Sequence, residues 1–127
     1  MLMSYIILAI GGALGAILRY LVSIYFSKLF GNYFPIGTLI VNIIGSFILG
    51  FFMGLILEKL PPTSLRKIFI AIGFSGSFTT MSSLSYETLV FIIKKQYFKA
   101  GINVFLNISL CLISTFIGYL LAKKIKG

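Results

Sequence analysis

The residues best suited to hold an ion lie together between Gly73 and Glu87, in the string GFSGSFTTMSSLSYE. This string sits inside an apolar segment that runs from Ile68 to Ile93. Glycine loosens a helix, and serine and threonine hydroxyls compete for backbone hydrogen bonds. The density of Gly73, Ser75, Gly76, Ser77, Thr79, Thr80, Ser82, Ser83 and Ser85 therefore predicts a helix that breaks at mid-membrane. Broken backbone survives in hydrocarbon only when it is buried in protein or lines a wet cavity. Freed carbonyls in such a place can hold a small hard cation, while helix N-terminal amides and hydroxyls face an anion. A Gly/Ser face that packs helices together is the structural alternative.

Two other segments carry polar residues at helical spacing. In FPIGTLIVNIIGSFILGFFMG, residues Thr38, Asn42, Ser46, Gly50 and Gly54 recur every four positions and share one ridge. Gly50 and Gly54 suit close packing. An amide at Asn42 needs a partner or water, since leaving it bare costs roughly 1–3 kcal/mol. It serves either as glue between helices or as the wall of a polar pathway. In GINVFLNISLCLISTFIGYLLA, residues Asn103, Asn107, Cys111 and Thr115 repeat the device, which argues for a water- or ion-facing track. Arg19 lies roughly 20 Å along a helix that starts near Tyr5. An arginine at mid-bilayer costs about 2.5–3.5 kcal/mol, so it either snorkels to an interface or faces a vestibule, bonded to neighbouring carbonyls.

The elements that must position these residues are four apolar spans, about Tyr5–Phe26, Gly37–Leu57, Ile68–Ile93 and Gly101–Ala122. Of the 127 residues, 59% are hydrophobic and 10% charged, far from the roughly 25% charged of soluble chains. A single all-helical membrane domain over residues 1–127 is expected. Gly11 and Gly15 form a GxxxG pair in the first span, which lacks the basic start and short apolar core of a cleaved signal peptide. Pro61 and Pro62 mark a firm stop between the second and third spans, and Gly31, Asn32 and Pro35 lie in the connection Ser27–Pro35. The single cysteine, Cys111, excludes an intrachain disulfide.

There is no histidine, and the only acids are Glu58 and Glu87. That set supports neither acid–base catalysis nor a metal centre built on side chains, so no enzyme is expected. The net charge of +9 comes from residues that cap spans, as membrane flanks do, and not from a nucleic-acid surface. Lys59, Arg66, Lys67, Lys123, Lys124 and Lys126 belong to one side of the membrane, and Lys28, Lys94, Lys95 and Lys99 to the other. This near balance suggests insertion in both orientations.

GGALGAILRY (11–20), GTLIVNIIGSFILG (37–50) and GFSGSFTTMSSLSYE (73–87) together resemble the Fluc/CrcB family of fluoride channels. The resemblance covers essentially the whole chain. It implies a multi-pass protein of the cell membrane that lets cytoplasmic fluoride leave the cell passively. It further implies an antiparallel, dual-topology dimer with two fluoride pathways and a structural Na+ at its centre, held by the carbonyls of Gly76 and Thr79. Asn42, Thr38, Ser82, Ser83, Asn103 and Asn107 would line the ion pathway, with Arg19 and Glu87 matching the family's arginine and acid. The family pattern is usually TTFSTFS, whose rings turn positive edges to the ion. Here Met81 and Leu84 take both places. A polarizable methionine is a plausible stand-in, and leucine offers only an apolar wall. Either fewer contacts suffice in a homodimer, or a paralogous second subunit supplies the rings to a chain inactive alone. A four-span proton-coupled exporter is disfavoured, because the first span holds no carboxylate. Fluoride is small and strongly hydrated, and the amide and hydroxyl donors of these spans can replace its water.

Overall fold

The computed structural model describes residues 1–31 and 33–127, all of whose regular elements are helical. Among these described residues, four helical segments are long and apolar enough to cross a membrane: Leu2–Phe30, Ile36–Leu55, Leu65–Ile93 and Tyr97–Lys126. We call the first two α1 and α2. The third divides into α3, residues 65–78, and α4, Met81–Ile93, and the last is α5, Tyr97–Lys126.

Helix ends follow local chemistry. α1 continues four residues past the expected Phe26, because Ser27 and Lys28 tolerate helix outside the hydrocarbon. It stops at Gly31, whose φ of 76° suits only a residue without Cβ and whose N–H donates to the Ser27 carbonyl at 2.9 Å. Asn32 of that connection lies outside the described residues. α2 starts directly after Pro35, which has no N–H to leave unpaired. A 3₁₀ turn, Leu57–Lys59, follows α2 with Leu57 fully buried, so the second span ends at Leu55 and not at Leu57. α4 closes on Lys95, at φ 61°, with Gln96 N–H donating to the Phe91 carbonyl at 2.8 Å and Lys95 N–H to that of Ile92 at 2.9 Å. That pair of bonds is a Schellman stop built without glycine.

α3 is irregular. Residues Ile68–Ser75 form a π-helical stretch between the α turns Leu65–Lys67 and Gly76–Phe78. After Phe78 the backbone is extended at Thr79 (φ −83°, ψ 158°) and Thr80 (φ −149°, ψ 115°), and Met81 opens α4. π turns of this kind recur at functional sites.

The bundle is assembled from two parallel pairs. α1 packs on α3 with Gly11 against Phe69 and Gly73, and Gly15 against Phe74 and Phe78. α2 packs on α5, the most extensive contact, with Gly50 against Thr115, Gly54 against Tyr119, and Gly118 against Phe47. A Cβ on Gly118 would stand 2.5 Å from the Phe47 carbonyl oxygen and 3.0 Å from the Phe51 nitrogen. Ser114 adds a side-chain hydrogen bond to the Ile43 carbonyl at 2.8 Å across the same seam. With backbones this close, dispersion and interhelical hydrogen bonds replace the missing hydrophobic drive of a lipid environment.

Gly118→Ala is expected to lower the unfolding midpoint in detergent by the equivalent of about 1–3 kcal/mol, because α2 and α5 must separate. Gly101→Ala is the control: it meets open space, and helix propensity alone should leave it neutral or slightly stabilising. Equal midpoints for the two variants would show that the seam is not tightly set.

Candidate functional site

The site is built where α2, the α3–α4 junction, α4 and α5 meet. Asn42, 7% exposed, points from α2 at the extended backbone of Thr80. Its Oδ1 accepts from Thr80 N–H at 2.8 Å, and its Nδ2 donates to the Thr80 carbonyl at 3.3 Å. One side-chain amide thus imitates a neighbouring strand. The same Nδ2 donates to Asn107 Oδ1 at 2.9 Å. Asn107 Nδ2 donates to the carbonyl and Oδ1 of Asn103, at 2.8 and 3.2 Å. Fully buried Asn103 donates to Thr88 Oγ1 at 3.2 Å, and Thr88 donates in turn to the Leu84 carbonyl at 2.8 Å. The polar residues thus form one continuous ladder, which is how buried amides are kept from costing stability.

Two diversions of backbone hydrogen bonds follow from the extended pair. In a continuous helix Thr80 N–H would bond to the Gly76 carbonyl, and Ser83 N–H to that of Thr79. Instead Thr80 N–H goes to Asn42, and Ser83 N–H goes to Thr80 Oγ1 at 3.1 Å, an N-cap for α4. Thr79 N–H and Thr79 Oγ1 both donate to the Ser75 carbonyl, at 3.1 and 2.9 Å. The Gly76 and Thr79 carbonyls are therefore deprived of their usual donors, and Gly76 lies exposed.

A cavity lies on each side of the ladder. The first, of about 340 Å³, is lined by Asn42, Ser46, Ser75, Thr79, Met81 and Cys111, among others. The second, of about 300 Å³, is lined by Ser23, Ser27, Thr38, Tyr86, Glu87 and Lys94, among others. Asn42 and Leu84 border the first, and Thr38 and Glu87 border the second, so one turn of α2 and one of α4 separate them. Thr38 Oγ1 donates to Glu87 Oε2 at 2.5 Å. Each cavity also holds a buried oxygen without a partner among the described residues, Ser75 Oγ in the first and Glu87 Oε1 in the second.

Of the residues singled out from sequence, Thr38, Asn42, Leu84, Asn103, Asn107 and Glu87 come together at this junction. Met81, Gly76 and Thr79 line the open first cavity, with Met81 67% exposed and Leu84 only 5%. Arg19 stands apart: its Nε donates to the Ser77 carbonyl at 2.9 Å, at the seam of α1 with α3. Ser82 meets Thr80 Oγ1 at 3.2 Å, and neither Ser82 nor Ser83 lines either cavity. Sequence reasoning missed Thr88, and it placed Ser75 in the Gly/Ser/Thr run without foreseeing that its buried hydroxyl would lack a partner among the described residues. Thr88 lies one turn beyond Leu84 and just outside the Gly73–Glu87 run, where an i+4 search would have found it.

Four spans carrying a buried amide ladder between two cavities define a small multi-pass membrane protein. Residues 6–119 match the family model described as CrcB-like protein, Camphor Resistance (CrcB). A protein of Sulfurihydrogenibium sp. (strain YO3AOP1) is 50% identical over 122 residues, covering 96% of this chain and 98% of that one. Proteins of Shewanella sp. (strain ANA-3) and Shewanella baltica (strain OS185) are 41% and 42% identical over 116 residues, covering 91% of this chain and 92% of each. All three relatives are named fluoride-specific ion channel FluC. The chain belongs to the CrcB family, in keeping with its three motifs, and is a multi-pass protein of the cell membrane.

Thr80→Val keeps the shape of the cap and removes the oxygen that holds Ser83 N–H. It should cost about 0.5–2 kcal/mol and speed hydrogen exchange at the Ser83 amide. Ser83→Ala, whose hydroxyl makes no hydrogen bond among the described residues, should leave stability within about 0.5 kcal/mol of wild type. Unchanged exchange at Ser83 in Thr80→Val would remove the cap from the account.

Proposed function

We propose that this chain is a fluoride channel through which cytoplasmic fluoride leaves the cell passively. The observation that carries this reading is the near full-length identity to relatives named fluoride-specific ion channel. The site chemistry supports it. The first cavity is lined by amide and hydroxyl donors and the second by hydroxyls and Lys94, Glu87 is the one carboxylate at their junction, and donors are what a small hydrated anion needs in exchange for water. The path in this reading runs past Thr38, Asn42, Asn107 and Asn103, with Ser82 and Ser83 near the N-terminus of α4 and Arg19 as a cation at the flank.

The channel is proposed to work as an antiparallel homodimer in dual topology. A Na+ ion would be held at its centre by the carbonyls of Gly76 and Thr79. The fit is favoured by the diverted donors of Thr80 and Ser83, which free those two oxygens for a hard cation. When bound, the ion supplies positive charge beside the anion route. Within the chain, Asn42 fixes the extended backbone that presents the carbonyls, and Thr80 caps α4 so that its first amides keep their direction. A second reading, a subunit that conducts only beside a paralogue, rests on Leu84, which puts a buried apolar wall where the family has a ring.

Two measurements test these readings. Fluoride efflux from liposomes holding the purified chain should be robust. Asn42→Leu should lower it at least about tenfold while the protein stays dimeric, equivalent to about 1.4 kcal/mol of barrier. Met81→Phe and Leu84→Phe should leave efflux equal or faster. No flux from wild type, with flux on adding a paralogue, would establish the second reading. Normal flux in Asn42→Leu together with loss on restoring phenylalanine would overturn the path. For topology, C-terminal reporters active on opposite sides of the membrane should both give signal. One strong orientation would exclude the dual-topology homodimer.

A further inference from the structure

We propose that the ends of α2 and α5 form a binding site for the headgroup of an anionic phospholipid, with Lys59 and Lys126 as its two phosphate-binding groups. The second connection and the C-terminal end of α5 meet at one end of the bundle, bringing together Lys59, Lys123, Lys124 and Lys126. Glu58 is the acid of this end, and it is already committed. It accepts from Lys123 Nζ and, at 2.9 Å, from Tyr119 OH, while the Lys123 ammonium also lies 5.2 Å from the Tyr119 ring centroid. That ammonium holds the Glu58 carboxyl below its ordinary pKa, so the acid stays charged and engaged.

Among the described residues, no second acidic side chain at this end is left to neutralise the remaining cations. Lys59, next to Glu58, and Lys126, one turn beyond Lys123, both lie exposed at the end of the bundle that the Glu58–Lys123 pair ties together, and Lys124 is exposed on the same last turn. Two adjacent ammonium groups repel, and one bridging monoanion converts that repulsion into two attractions.

The position selects a lipid as the source of the anion. α5 has 30 residues, about 45 Å of helix, against a hydrocarbon thickness of about 30 Å. Its last turns therefore reach headgroup depth. Leu121 and Ile125, 41% and 63% exposed, flank the lysines on those turns and suit acyl chains below a phosphodiester. Basic pockets between membrane helices recognise anionic headgroups in this manner. At the opposite end Lys99 is engaged differently, 3.6 Å from the centroid of the Tyr33 ring.

The test uses the purified full chain in detergent, titrated with dioleoylphosphatidylglycerol, dioleoylphosphatidylcholine or inorganic phosphate, reading the thermal midpoint and lipid adducts by native mass spectrometry. Phosphatidylglycerol should raise the midpoint and give adducts that phosphatidylcholine does not. Lys59→Gln with Lys126→Gln should weaken this at least about tenfold, since each lysine near an anionic surface is worth about fivefold. Lys59→Arg with Lys126→Arg should retain it, as should Lys28→Gln with Lys94→Gln at the other end. An unchanged response in the Lys59/Lys126 glutamine pair, an equal response to phosphatidylcholine, or full reproduction by inorganic phosphate would each overturn the proposal.

Discussion

The structure depends on the pairing of one amide with one residue's backbone. Between Phe78 and Met81 the third segment leaves helical geometry, and in a membrane every N–H and C=O so released needs a partner. Asn42 takes both groups of Thr80. Leaving a buried N–H bare costs about 1–3 kcal/mol, so this single side chain decides whether the extended backbone is tolerable. Thr80 then uses its hydroxyl to cap α4. Two side-chain acceptors thus draw off the two donors that would have closed over Gly76 and Thr79, and local polarity appears without any buried charge.

That pairing requires close helices, which the glycines permit. An asparagine amide reaches only a few ångströms from its helix, and Asn42 touches Asn107 at 2.9 Å because α2 and α5 run nearly in backbone contact at Gly50 and Gly118. Gly45 does the same on the other flank, where Phe78 and Thr79 fill the space a Cβ would need. On the far side, Gly11, Gly15 and Gly73 bring α1 onto α3, and Arg19 takes up the Ser77 carbonyl just before the extended pair. The packing motifs and the polar ladder are therefore one device: small residues set the distance, and amides use it.

Much of this was legible in the residues. Four apolar runs gave the spans, the four-residue recurrence of Thr38, Asn42, Gly50 and Gly54 gave the face of α2, and Asn103 with Asn107 gave that of α5. What spacing could not give was pairing across elements. That Asn42 meets Thr80, or that Thr88 closes the ladder, depends on the register of packed helices, and nothing local to either residue encodes it. The extra turn of α1 through Phe30 was hidden because polarity ends a membrane span without ending a helix. Gly118, unremarkable in an apolar run, became visible only once Phe47 stood opposite.

The two departures from the family string are not equivalent in space. Leu84 is buried between the two cavities, whereas Met81 is exposed at the first, and Phe78 is stacked on Phe74 and buried against Gly15 and Gly45. Phe78 therefore cannot swing in to offer the ring edge that Leu84 lacks. In the proposed channel the anion must then draw its donors from the amides, and Asn42 has none idle: one bond goes to Asn107 at 2.9 Å and one to the Thr80 carbonyl at 3.3 Å. The longer bond is the weaker, so it is the one an anion can take over. Doing so would turn the Thr80 carbonyl loose while Thr80 N–H still holds Asn42 Oδ1, which keeps the amide aimed as its donor changes partner. In the proposed channel the residue that fixes the backbone would thus also be the one to lend a hydrogen-bond donor to a passing ion, at the cost of one long hydrogen bond.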